Sequence, residues 1–233
     1  MTEIKDLSNA FTETIKDTNL KEITVDISEI LVDNLLEDGI LKEIPIIGTI
    51  LKLGKFTLNI KDHLFIKKII YFISEIKEIA PEKRNELISK IDNSEQFRIK
   101  IGEKLLFIID KCEDHIESEY VAKFFKAFLN EKMYYSDFLR CTSILQNIFI
   151  EDFEYFITFN PPEKKYSRAN DWSEYLSEID MNLINAGLLG REIGEINVRD
   201  QDDWKASEKY IVEGGKEYVY ITDIGNLIRE ILK

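Results

Sequence analysis

Histidine, cysteine and positive charge are all in short supply in this sequence, and each shortage removes a class of function. Only His63 and His115 are available as histidine bases, so a catalytic triad or a multi-histidine metal centre has little to work with. The two cysteines, Cys112 and Cys141, fall in helical stretches without CxxC or other metal or redox spacing and read as buried free thiols. Lysine and arginine total 31 against 44 acidic residues, a net charge of −13, so any electrostatic grip on nucleic acid has to overcome repulsion across most of the surface. No apolar run is long enough to span a bilayer: Ile44 to Leu51 is ended by Lys52, and Cys141 to Ile150 is followed by Glu151 and Asp152. The opening Met1-Thr-Glu-Ile-Lys-Asp lacks the charged-then-apolar pattern of a signal peptide, which predicts a cytoplasmic protein.

What is present supports a substantial core. Hydrophobic residues make up 44% of the 233 residues, aromatics 11% and charged residues 32%, the composition of a globular chain with one large domain or one domain plus a smaller one. Residues 3 to 38 place Ile23, Ile27, Ile30, Leu31, Leu35 and Leu36 at helical steps, with three lysines against ten acids, and Gly39 stands where a helix ends. From Gly39 to Tyr71 the balance reverses to six lysines against two acids. Pro45 in a first turn opens a helix on which Gly48, Lys52, Lys55 and Asn59 form one narrow polar stripe, so most of its circumference asks for burial. A second helix over Asp62–Ala80 carries Leu64, Phe65, Ile69, Phe72, Ile73 and Ile76 inward. Further helices follow over 82–92 and Phe97–Cys112, and around Val121 to Leu129. Another, capped by Ser136 or Asp137, buries Phe138, Leu139, Leu145, Ile148 and Phe149, and a last turn carries Phe153, Phe156 and Ile157.

Asn160-Pro161-Pro162-Glu163-Lys164-Lys165 breaks every periodicity and predicts a linker over about 158–170, between a helical bundle domain at 1–160 and a smaller domain at 171–233. In the latter, Trp172 to Leu189 reads as a helix ending at Gly187 or Gly190. Strand patterns are confined to about 195–221: Tyr210 to Glu213 and Glu217 to Ile221 flank Gly214-Gly215, which suits a two-residue hairpin turn, a wing whose tip carries Gly214, Gly215 and Lys216. Thr222 or Asp223 caps a final helix through Leu232.

The words "LINAGLLGR" and "YVYITDIGNLIREIL" within 170–233 resemble the third helix and the stretch after the wing of bacterial winged-helix domains. The resemblance implies a small α+β winged-helix-like module there; with the helical spacing before residue 160, the expected fold class is mainly α, an N-terminal helical bundle followed by that module. The segment "GILKEIPIIGTILKLGKFTLNIKDHLFIKKIIYFISEI", with "GEKLLFIIDKCEDH" after it, is similar to a group of bacterial proteins of unknown function sharing "IPIIGTI". That similarity implies a bacterial or phage source, and by association a phage-defence or mobile-element locus.

No motif supplies chemistry. Asp110, Cys112, Asp114 and His115 form one cluster of ligand-type residues, but neighbours one and two apart on a helix point in different directions and do not converge on a metal. Asp200, Asp202 and Asp203 lack the ligand spacing of a calcium loop. Gly187, Gly190 and Gly194 match neither phosphate-binding pattern and follow a helix instead of a strand. The expectation is therefore a non-enzymatic protein without cofactor or metal, acting through a protein partner. The first alternative is a membrane-active effector in which helices 40–79 present Lys52, Lys55, Lys67 and Lys68 to anionic lipid after a conformational change. The second is a DNA-binding winged-helix regulator. Sequence-specific nucleic acid is disfavoured because residues 163–233 carry ten basic residues against fifteen acids.

Overall fold

The structure, a computed structural model, describes residues 2–20, 40–53, 60–97, 99–158, 164–166, 176–200, 210–215 and 217–233. These fall into two compact units, Met1–Gln146 and Asn147–Lys233. Among the described residues the chain is mainly helical, with ten helices and a small antiparallel strand portion in the second unit.

The first unit holds α1 (Thr2–Lys16), a 3-10 turn (Ile40–Glu43), α2 (Pro45–Lys52), α3 (Ile60–Ile76), α4 (Pro81–Asp92), α5 (Ile101–Lys111), α6 (His115–Leu129) and α7 (Tyr135–Leu145). Pro45 and Pro81 open α2 and α4 from first-turn positions, where the missing N–H costs nothing. The α2 start has no side-chain cap of its own; the buried Thr14 hydroxyl on α1 accepts the Ile46 N–H at 3.0 Å instead, and donates to Ala10 O at 2.8 Å. Helices α3 and α6 share the most extensive contact, and α1 packs on both α2 and α5. A row of rings runs through the core: Phe11 to Phe72 at 5.8 Å, Phe72 to Phe125 at 5.6 Å, Phe125 to Phe138 at 5.4 Å between centroids. At Gly102 a Cβ would stand 2.6 Å from the Ser8 carbonyl oxygen, so glycine is what lets α5 lie this close to α1.

Several expected boundaries shift. α1 stops at Lys16, where Asp17 Oδ1 takes the Asn19 N–H in a turn; the stripe from Ile23 to Leu36 lies outside the described residues. Leu64, expected inward, is 49% exposed, because the packing of α3 on α6 begins a turn later. α7 begins at Tyr135 with Tyr134 as an uncapped N-cap, so Ser136 and Asp137 sit inside its first turn, and Phe149 is exposed beyond its end.

The second unit holds α8 (Ile150–Thr158), β1 (Lys164–Tyr166), α9 (Glu178–Asn185), β2 (Leu189–Ile193), β3 (Ile196–Asp200), β4 (Tyr210–Gly214), β5 (Glu217–Ile221) and α10 (Asp223–Leu232). α8 makes contacts with α9 and α10 inside this unit, with Phe153 and Phe156 fully buried and Asn182 Nδ2 donating to Asp152 Oδ2 at 2.8 Å. α9 is shorter than the sequence pattern implied. A capping box between Ser177 and Asp180 fixes its start. Leu189, expected as its last residue, opens strand β2, and strand also occurs at 164–166, inside the expected linker. Thr222 caps α10 as expected, its Oγ1 accepting the Gly225 N–H at 3.1 Å.

Candidate functional site: a two-stranded ribbon

The expected hairpin about Gly214-Gly215 is not formed. β4 and β5 belong to different sheets: β5 lies between β1 and β2, and β4 pairs with β3. The two ladders nevertheless share one register. Leu189 pairs with Ile221 and Ile193 with Glu217; three residues on, Ile196 pairs with Gly214 and Asp200 with Tyr210. The Gly215 N–H donates to Glu195 O at 2.9 Å between them. One long antiparallel ribbon therefore runs from 189–200 and back along 210–221, and Gly214-Gly215 lies within its length. Gly215 has φ +69, a conformation that strains any residue with a Cβ, and it marks the break between the ladders. Local alternation identified Tyr210 to Glu213 and Glu217 to Ile221 as strands but could not identify their partners, which lie across the 201–209 connection.

The half of the ribbon near the body is anchored. Leu189 and Val219 are buried, and Thr222 Oγ1 donates to Gly187 O at 2.7 Å just beyond. The far half is not: every residue of β3 is exposed. Alternation along the strand sorts its side chains by face. Ile196 (52% exposed), Val198 (62%) and Tyr210 (52%) share one face, while Asn197 and Arg199 occupy the other. Three large apolar side chains in water on one face of a two-stranded ribbon are a surface arrangement associated with an interaction site. Lys216, the expected tip residue, lies outside the described residues, as do Asp202 and Asp203.

The basic segment divides differently from its sequence. Ile44, Ile46, Ile47 and Ile50 are fully buried, so the broad apolar face of α2 is core in this structure. Lys52 is exposed; Lys67 is half-buried with its ammonium 5.7 Å from the Tyr71 ring centroid; Lys55 is outside the described residues. Lys68 is buried, and its Nζ donates to Asp110 O at 3.0 Å and Cys112 O at 2.8 Å, closing the C-terminus of α5. Sequence reasoning grouped it with the surface lysines. The signal that separates it is position: Lys68 follows Phe65 by three residues and precedes Phe72 by four, on the packed side of α3. No helix among the described residues is long and apolar enough to cross a membrane.

The ligand-type cluster is likewise occupied with structure. Asp114 caps α6 by accepting the Ile116 and Glu117 N–H groups, the Cys112 thiol donates to Ile108 O at 3.3 Å, and the His115 ring packs on Tyr71 at 4.6 Å. Both cysteines are buried and free, and burial pushes each thiol up to about 12, far from the thiolate form that reactivity needs. The chain matches no protein-family model, no curated protein and no solved structure.

Proposed function

We propose that this chain is a non-enzymatic bacterial interaction protein whose C-terminal unit is a winged-helix-like module holding a protein partner on the apolar face of its ribbon. The observation that carries the reading is the exposed row Ile196, Val198 and Tyr210 on a ribbon of continuous register. The order of elements supports the module: helix, strand, helix, a pair of long strands and a closing helix, with the first strand pairing on the outside of β5. Charge favours protein over duplex DNA as the occupant, because the segment from 163 to the end carries ten basic residues against fifteen acids. The described helix at the recognition-helix position, Glu178–Asn185, carries no lysine or arginine for phosphate contacts.

The test is affinity purification from the native host with quantitative mass spectrometry, comparing the wild type with Ile196→Glu/Val198→Glu. A partner recovered in near-stoichiometric amount by the wild type and lost from the variant, with the variant's thermal unfolding unchanged, is the expected result. A partner set that ignores the substitutions refutes the assignment to the ribbon. Enrichment of a defined motif from a random duplex pool would replace it with the DNA-binding reading.

A further inference from the structure

Strand β3 is the outer strand of its sheet: β4 pairs with one edge, and among the described residues no strand pairs with the other. Every residue of Ile196–Asp200 is exposed, so that edge is open to a second chain. An open edge presents a row of free backbone N–H and C=O groups, and this strand has no proline to blunt it. The ladder determines which groups are offered. Glu195 O accepts the Gly215 N–H at 2.9 Å, and bonded and non-bonded positions alternate along an antiparallel pair. Residues 195, 197 and 199 therefore bond toward β4, while Ile196, Val198 and Asp200 direct their backbone groups outward.

Two copies of this edge pair antiparallel only where outward-directed residues meet, which restricts the register to steps of two. One of these registers is self-complementary. With Asn197 on the two-fold axis, Ile196 stands opposite Val198 of the second copy and Glu195 opposite its Arg199, and each pair occurs twice. The ion pairs fall at non-bonded positions, where side chains of facing strands come closest. Sliding the strands until Val198 meets Val198 places Asp200 against Ile196; sliding the other way, until Ile196 meets Ile196, places Arg199 against Ile193. Both shifts lose the charge pairs. Arg199 is engaged within its own chain, and its five donors accommodate a second carboxylate. An acid and a base placed symmetrically about one residue suit an isologous contact, in which each copy presents the same patch.

We propose that β3 pairs with β3 of a second copy of this chain in that register, forming a symmetric dimer through a four-stranded sheet. Pairing of one short strand buries less than a standard interface, which makes the dimer weak and reversible. The dimer goes beyond the proposed partner site and uses the edge of the strand. It leaves the apolar face open and joins two rows of Ile196, Val198 and Tyr210 on one side of the sheet, so either reading can fail without the other.

The experiment is sedimentation velocity on the full chain from micromolar to millimolar concentration, where a reversible monomer–dimer equilibrium is expected. Glu195→Arg and Arg199→Glu each oppose like charges in this register, and each alone is expected to weaken self-association at least tenfold. Mixed in equal amounts, the two variants are expected to form a heterodimer as tight as the wild-type dimer. An uncharged residue at position 199 removes both ion pairs and weakens the dimer in the same direction. Both positions lie off the apolar row, so partner recovery through Ile196 and Val198 is read separately. Asn197→Cys, exposed and on the axis, is expected to give a disulfide-linked dimer under mild oxidation, and Asp200→Cys, further from the axis, is not. Cys112 and Cys141 are buried and do not compete. A wild type that stays monomeric over the whole range, a mixture that associates no better than its components, or a disulfide that forms from position 200 as readily as from 197 overturns the proposal.

Discussion

Lys68 and Arg84 show how single buried cations hold the first unit together. Lys68 donates to the last carbonyls of α5, and Arg84 on α4 donates to Asp17 O just after α1, where Asn85 reaches Lys16 O at 3.4 Å. Each places positive charge where a helix terminus is negative and leaves carbonyls unpaired. Lys68→Met keeps the stem and removes the ammonium, stranding two carbonyls. It is expected to cost about 3 kcal/mol in urea unfolding, since charged hydrogen bonds in buried sites contribute about 1.5–3 kcal/mol each. Glu117 makes the opposite contribution near neutral pH. Burial raises its carboxyl above the ordinary 4.5, opposed by the Glu113 N–H it accepts at 2.8 Å and by Lys68, and reinforced by Glu113 and Asp114. A folded pKa above the unfolded one gives stability that is complete below the unfolded value and lost as pH rises through the folded value. The stability of Glu117→Gln relative to wild type should therefore increase as pH rises from about 4.5 through the raised folded value. A difference that is flat or falls over that window would contradict this sign. The spacing of Lys68 from Phe65 and Phe72 marks it as inward, but the carbonyls it meets were not legible in the sequence, because Asp110 and Cys112 lie 42 and 44 residues away.

At the scale of elements, helix termination departs from the glycine rule. α6 ends in a Schellman arrangement, with the Glu131 N–H donating to Phe128 O and the Lys132 N–H to Ala127 O, both at 2.9 Å. The residue in the left-handed position is Glu131, at φ 57, not glycine. Glu131→Gly is expected to stabilise the protein by about 1 kcal/mol, the size of the strain carried there by a residue with a Cβ; loss of stability would show that the contact with Lys83 outweighs it. The helices themselves were legible because their apolar spacing is strong: Pro45, Pro81, Val121 to Leu129 and Thr222 fall where the pattern put them. The strands were legible only in part. Leu189 to Ile193 follows a helical stripe closely enough to be read as its end, and the Gly-Gly pair resembles a turn whether or not its flanks pair. Pairing across residues 201–209 is non-local, and periodicity along the chain carries no information about it.

At the scale of the whole molecule, the −13 charge and the exposed ribbon face are the two features on which the proposed protein partner rests. A strongly acidic surface repels phosphate backbones and anionic membranes, whereas an apolar row flanked by polar residues suits a protein surface. The account rests on the difference between the two faces of β3, and neighbouring residues on that strand isolate it. A photo-activated cross-linking residue placed at Val198 in the host, compared with the same residue at Arg199, is the most direct measurement. A discrete protein adduct from position 198, with little or none from 199, is the predicted result. Equal adducts from both faces, or adducts to nucleic acid from either, would contradict it.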